Sequence, residues 1–219
     1  MRLNKLPVLL CVLLAAGMAA AEVVNGGVLK PPAGATVAIV VFEDLECPSC
    51  AQASALLEQA AKTYNVPLVI HDFPLRQHAW AFDAAILARY FEDKAGRAAS
   101  DEFRDYIYQY QPYVTKDSLR SYADKFAASK KLELPFMIDP RGEIKARIQA
   151  DQDLGLRVGL DETPTVIVVS TKSWKHVKPL TDLYSTIDQM KRDAGPPPAS
   201  KPAGKTPAKS SGKTAKKAQ

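Results

Sequence analysis

The chain has 219 residues, 47% of them hydrophobic and 24% charged, with three cysteines and a formal net charge of +5. That length is enough to bury one sizeable core. The excess positive charge is confined to the ends: without two cations at the N-terminus and six lysines at the C-terminus, +5 becomes −3 for residues 22–194, which gives no support to a basic nucleic-acid face on the folded body.

Arg2 and Lys5 precede an apolar run from Leu6 to Leu14, and small residues ending in Ala19-Ala20-Ala21 stand before Glu22. This is the pattern of a secretory signal, so residues 1–21 are expected to be cleaved and the product to be periplasmic or secreted. The apolar run is shorter than the roughly 18–20 residues of a membrane-spanning helix, which ranks an uncleaved anchor second. Leu10 is too bulky for a lipoprotein cleavage site at Cys11, so that thiol is expected to leave with the leader. Cys47 and Cys50 then remain in an oxidising compartment and permit one internal disulfide.

After a short N-terminal extension, residues 22–34, the run "ATVAIVVF" from Ala35 to Phe42 predicts a strand covered on both faces. Ala53, Leu56, Leu57, Ala60 and Tyr64 follow helical spacing until Asn65 and Pro67 stop it, and Pro67 to Phe73 predicts a second strand parallel to the first. Four helices follow. Trp80 to Tyr90 lie in one, Phe103 to Tyr110 in a second capped by Ser100, and Leu119 to Phe126 in a third capped by Thr115. The fourth opens at Asp139-Pro140 and runs through Ile144 and Ile148 toward Leu156. Their aromatic residues are spaced for a core face. Thr163 to Val169 predicts a strand, "TKS" a turn, "WKHV" its hairpin partner, and Thr181 to Arg192 a last helix. Residues 195–219 hold Pro, Gly, Ser, Ala and Lys without aromatic or branched aliphatic side chains and are expected to form a disordered, solvated tail.

The stretch "FEDLECPSC" carries the chemistry. A disulfide that closes a two-residue gap constrains the unfolded chain very little, so this pair suits redox exchange better than structural stapling. At a strand-to-helix junction the first sulfur, Cys47, lies over unpaired amides and the positive end of the helix dipole, which favours its thiolate and makes it the expected nucleophile. Pro48 suits the first helical turn, Ser49 completes the active-site loop, and Cys50, one turn in, is the expected resolving thiol. Glu43, Asp44 and Glu46 lie close by and would oppose ionisation if they pointed at the sulfur, so an oxidant of moderate strength is expected. His71, His78 and His176 read as surface or capping residues, and no metal site is expected; a copper-carrying module using His78 or His176 with the thiolates is the alternative from another class.

Glu43 to Cys50, the helical insertion and "VGLDETPTVIV" together make residues 35–193 resemble the DsbA-like thiol-disulfide oxidoreductases. The resemblance implies an α/β fold, a thioredoxin-like domain (35–77 and 161–194) with an inserted α-helical domain (78–160). It implies that Pro164 is a cis-proline facing the sulfurs and that Thr163 before it offers backbone groups to a substrate peptide; a trans proline opening an edge strand is the alternative. No cofactor beyond a Cys47–Cys50 disulfide is implied. The implied partners are newly exported cysteine-containing proteins and a membrane reoxidising protein of the DsbB or vitamin K epoxide reductase type. A reductase or isomerase role ranks lower. Known isomerases of this kind carry an N-terminal dimerisation domain, and Glu22 to Gly34 is too short for one, so a monomer is expected. One departure stands out: relatives often hold a buried acid six residues before the first cysteine, and Val41 occupies that place.

Overall fold

A computed structural model describes residues 29–195; the leader, most of the N-terminal extension and all but the first residue of the tail lie outside them. Four strands form one sheet in the order β2-β1-β3-β4: β1 is Val37–Glu43, β2 Leu68–Asp72, β3 Thr165–Ser170 and β4 Trp174–His176. β1 pairs parallel with β2 and antiparallel with β3, and β3 pairs antiparallel with β4. Helix α1, Pro48–Tyr64, makes the crossover between β1 and β2. Four helices stand between β2 and β3: α2 (Ala81–Ala95), α3 (Arg97–Tyr110), α4 (Leu119–Ser129) and α5 (Glu143–Arg157). Helix α6, Leu183–Ala194, closes the described chain. This is an α/β fold with a helical insertion, in the element order that the apolar runs predict and of the thioredoxin type that the resemblance implies. No helix among the described residues is long and apolar enough to cross a membrane.

Every residue of β1 is buried, because the strand lies between two layers. Successive side chains of a strand point to opposite faces. Val37, Ile39 and Val41 therefore pack with Leu57 of α1 and Ile187 of α6, while Ala38, Val40 and Phe42 pack with Ile167, Val169 and Phe73. Leu154 and Val158, at the end of α5, cover that second face. The approach of α5 depends on Gly155: a Cβ there would lie 2.5 Å from Phe73 Cε2. A third cluster fills the insertion around Phe91, Phe103 and Phe126, whose ring centroids lie 4.8–5.2 Å apart, and it reaches both cysteines.

Several helix boundaries differ from the expected ones. Ser100 is not a cap; α3 begins at Arg97 after Gly96, and Ser100 is buried in its first turns. Pro140 lies outside α5, which begins at Glu143, while the Asp139 carboxylate accepts from the Lys145 N–H at 2.8 Å. Thr115 Oγ1 accepts from the Ser118 N–H and so shapes the turn before α4 without being its N-cap. In each case polar residues near a helix start were legible, but which amide they meet depends on how the chain enters from the preceding turn.

Candidate active site

The last residue of β1, the turn after it and the first turn of α1 bring two unlinked cysteines to the C-terminal end of the sheet's central strand. Cys47 is the N-cap of α1 in extended conformation and Pro48 occupies the first turn, where its missing N–H leaves no amide unpaired. Pro48 and Ser49 are exposed. Cys47 keeps 7% of its surface accessible and Cys50 2%, so an approaching sulfur meets Cys47 first.

The two thiols are tuned in opposite directions. Cys47 is lowered to about 5. The largest cause is the Cys50 thiol donating to its sulfur; the Thr163 side chain and the N–H groups of Cys50 and Ser49 add to this against the cost of burial. Burial pushes Cys50 far up, the donation to Cys47 and the negative charges of Cys47 and Glu43 push it further, and the Asp44 N–H, 3.4 Å from its sulfur, only partly offsets them. Opposite α1 the Thr163–Pro164 peptide bond is cis, as is Lys178–Pro179. In its thiol form Cys47 donates to the Thr163 carbonyl at 3.3 Å. The Thr163 hydroxyl is buried and has no hydrogen-bond partner among the described residues, which leaves it free to donate to the thiolate. A groove of about 350 Å³ runs beside this pair, lined by Ser49, Gln52, Leu56, Thr163, Pro164 and His176.

The three acids of the active-site turn are each bonded away from the Cys47 sulfur. Asp44 accepts from the Leu75 N–H and the Glu46 N–H, both at 2.7 Å, and pairs with His78 Nδ1 at 2.7 Å. Glu46 accepts from the first amides of α2, Trp80 and Ala81. Glu43 pairs with Arg104 of α3 at 2.8 Å, and the same Arg104 nitrogen meets Asp72 at 2.8 Å. Asp72 also binds Arg89, which bridges to Asp151, the partner of His71. His71 and His78 are therefore half-buried partners of carboxylates and not the surface or capping residues expected, whereas His176 lies exposed in the groove wall. Among the described residues no cluster of three or more His, Cys, Asp or Glu is placed to hold a metal ion.

Glu43 is the residue that motif reasoning left unassigned. It lies two residues beyond Val41, so strand alternation puts it on the same face of β1, one pleat closer to the cysteines. Burial raises its carboxyl, and Arg104 offsets that only in part because Asp72 repels it. At Asp72 burial also favours the neutral form, but two guanidiniums, Arg104 and Arg89, outweigh it and hold the carboxyl low. Glu43, Arg104 and Tyr108 line a cavity of about 540 Å³ between α1 and α3, bordered by Glu58 and Asp105. The buried Tyr108 hydroxyl, without a hydrogen-bond partner among the described residues, lies within the fields of both Glu43 and Cys50.

Fold and dithiol together define a thioredoxin-fold protein whose helical layer is inserted between β2 and β3. The chain belongs to the thioredoxin family designated Thioredoxin_4, whose model matches residues 32–189. Among solved structures it is similar to DsbA2 of Pseudomonas aeruginosa, at 21% identity and a TM-score of 0.57 over 75% of this chain and 93% of that one. It is similar to the thiol-disulfide exchange protein alpha-DsbA2 of Wolbachia pipientis, at 18% identity and a TM-score of 0.56 over 74% and 86%. BdbD of Bacillus subtilis, in its oxidised form, aligns at 18% identity and a TM-score of 0.59 over 75% and 90%. No curated protein matches the chain in sequence.

Proposed function

We propose that this protein is an exported thiol-disulfide oxidoreductase that forms disulfides in other proteins through Cys47 and Cys50. The observation that carries this is the opposite tuning of two sulfurs one helical turn apart, one held near 5 and the other driven far above its ordinary value. A pKa held that low keeps Cys47 mostly as thiolate at neutral pH. A stabilised thiolate favours the reduced protein and makes the disulfide an oxidant.

In the oxidised protein a substrate thiolate attacks the Cys47 sulfur. The Cys47–Cys50 bond breaks, Cys50 takes the electron pair, and a mixed disulfide forms. Cys50, with its raised pKa, must take up a proton. We assign its delivery to Glu43, which is buried, has its carboxyl raised by that burial and is near enough to act on the Cys50 charge. A second substrate thiolate then attacks the substrate sulfur of the mixed disulfide and expels Cys47, which leaves as the thiolate and needs no proton. Thr163 and Pro164 would hold the extended substrate segment in the groove beside them. Export is supported by the leader pattern of residues 1–21, and the substrates would be newly exported proteins with reduced cysteines. Reoxidation is assigned to a membrane protein of the DsbB or vitamin K epoxide reductase type, and the protein is proposed to act as a monomer.

Oxidative refolding of a reduced protein, insulin reduction and unscrambling of a misoxidised protein would separate oxidant from reductase and isomerase. The oxidised protein should drive the first reaction stoichiometrically, and Cys47→Ser should abolish it. A Cys47→Ser variant that refolds substrate as well as the parent would overturn the assignment.

A further inference from the structure

We propose that Gln111 is a positioning residue that holds the active-site turn from the helical insertion and thereby helps to keep Cys47 ionised. The proposal rests on the thiol-disulfide function above and adds to it a group on an element remote from the two cysteines in sequence. Gln111 opens the short 3-10 turn Gln111–Tyr113 that follows α3. Its side-chain amide reaches back across the domain: Nε2 donates to the Leu45 carbonyl at 2.7 Å and to the Cys47 carbonyl at 3.2 Å. Both carbonyls belong to the segment that carries the nucleophilic sulfur. The Cys47 carbonyl also accepts the N–H groups of Cys50 at 3.1 Å and Ala51 at 3.3 Å, the first bonds of α1. One side chain thus fixes the peptide plane from which the helix starts.

Two physical effects follow, and they have the same sign. The NH₂ end of the Gln111 amide dipole points at the turn and favours negative charge there. The clamp also fixes the Cys47 carbonyl on which the first turn of α1 is built, and the Ser49 and Cys50 amides of that turn lower the pKa of the sulfur. The acids of the turn cannot replace this tether, since Asp44 and Glu46 bind segments at the start of the insertion, Leu75–Ala81, whereas Gln111 alone among these ties reaches the Cys47 carbonyl.

Gln111→Met keeps the shape and removes the donor; Gln111→Glu keeps the shape and reverses the dipole's effect. Titration of the Cys47 thiolate by its ultraviolet absorbance in the reduced full chain should show a higher pKa in Gln111→Met and a higher one still in Gln111→Glu. The equilibrium with glutathione should move about three- to tenfold toward the oxidised protein in Gln111→Met, the worth of a hydrogen bond or two. A purely structural role would lower the melting temperature and leave both readouts unchanged. A folded Gln111→Met variant with the parent's thiolate titration and glutathione equilibrium would overturn the proposal. If Gln111→Met does not fold, Gln111→Ala, which removes the donor without adding charge, decides by the same readouts. Neither measurement requires turnover, so failure here is distinguishable from loss of activity on Cys47→Ser, which tests the function itself.

Discussion

The thiolate of Cys47 is made by neighbours that come from two places in the chain: the first turn of α1, with the Cys50 thiol and the first amides, and Thr163 before β3. Removing the Thr163 hydroxyl removes one of these and leaves the backbone contact in place. Thr163→Val should therefore raise the Cys47 pKa above about 5 by about one unit, the worth of one hydrogen bond to a charged group, as read from the pH dependence of alkylation. An unchanged alkylation profile would assign the lowering to Cys50 and the amides alone. Motif and spacing singled out Cys47, Cys50 and Pro48 in the sequence, and the resemblance to DsbA-like proteins pointed to Thr163 and Pro164. They did not give the direction of the acids: Glu43, Asp44 and Glu46 looked like a threat to the thiolate because charge can be counted in a sequence but its orientation cannot. Glu43 itself carried a readable signal, since it shares strand parity with Val41, the place at which the resemblance implied an acid.

Among the elements, α3 has the largest role in supporting the site. It supplies Arg104 to both Glu43 and Asp72, and its C-terminal end leads into Gln111. Arg104 is 4% exposed, so its two carboxylate partners have little access to water as a substitute. Arg104→Met should destabilise the fold by about 3–5 kcal/mol, because deleting one member leaves buried charge uncompensated. Urea denaturation checks this, and a loss under about 1 kcal/mol would mean that water reaches the pair through the adjoining cavity. Existence and order of the elements were legible because long apolar runs and helical spacing decide them. The network of Arg89, Arg104, Asp72 and Asp151 was not, since its members come from β2, α2, α3 and α5 and meet only once those elements pack.

For the whole molecule, the tuning of Cys47 links redox state to stability. A thiol whose folded pKa is depressed stabilises the reduced fold fully above its ordinary value near 9.0, progressively less below that, and not at all once the pH falls through about 5. The gap in denaturation midpoint between reduced and oxidised protein should therefore shift in favour of the reduced form as pH rises from 5 to 9. A gap that does not vary with pH across that window would contradict the low pKa. The α/β class and the split of the fold around its insertion were readable from the chain, while the seating of insertion on sheet was not, because it depends on one missing methyl group. Gly155 lets α5 lie against the Phe73 and Phe42 rings at a distance that admits no Cβ. Two surfaces meshed that tightly cannot glide past one another without first separating. Any reorientation of the insertion is thus expected to come as a tilt with this contact as its fulcrum.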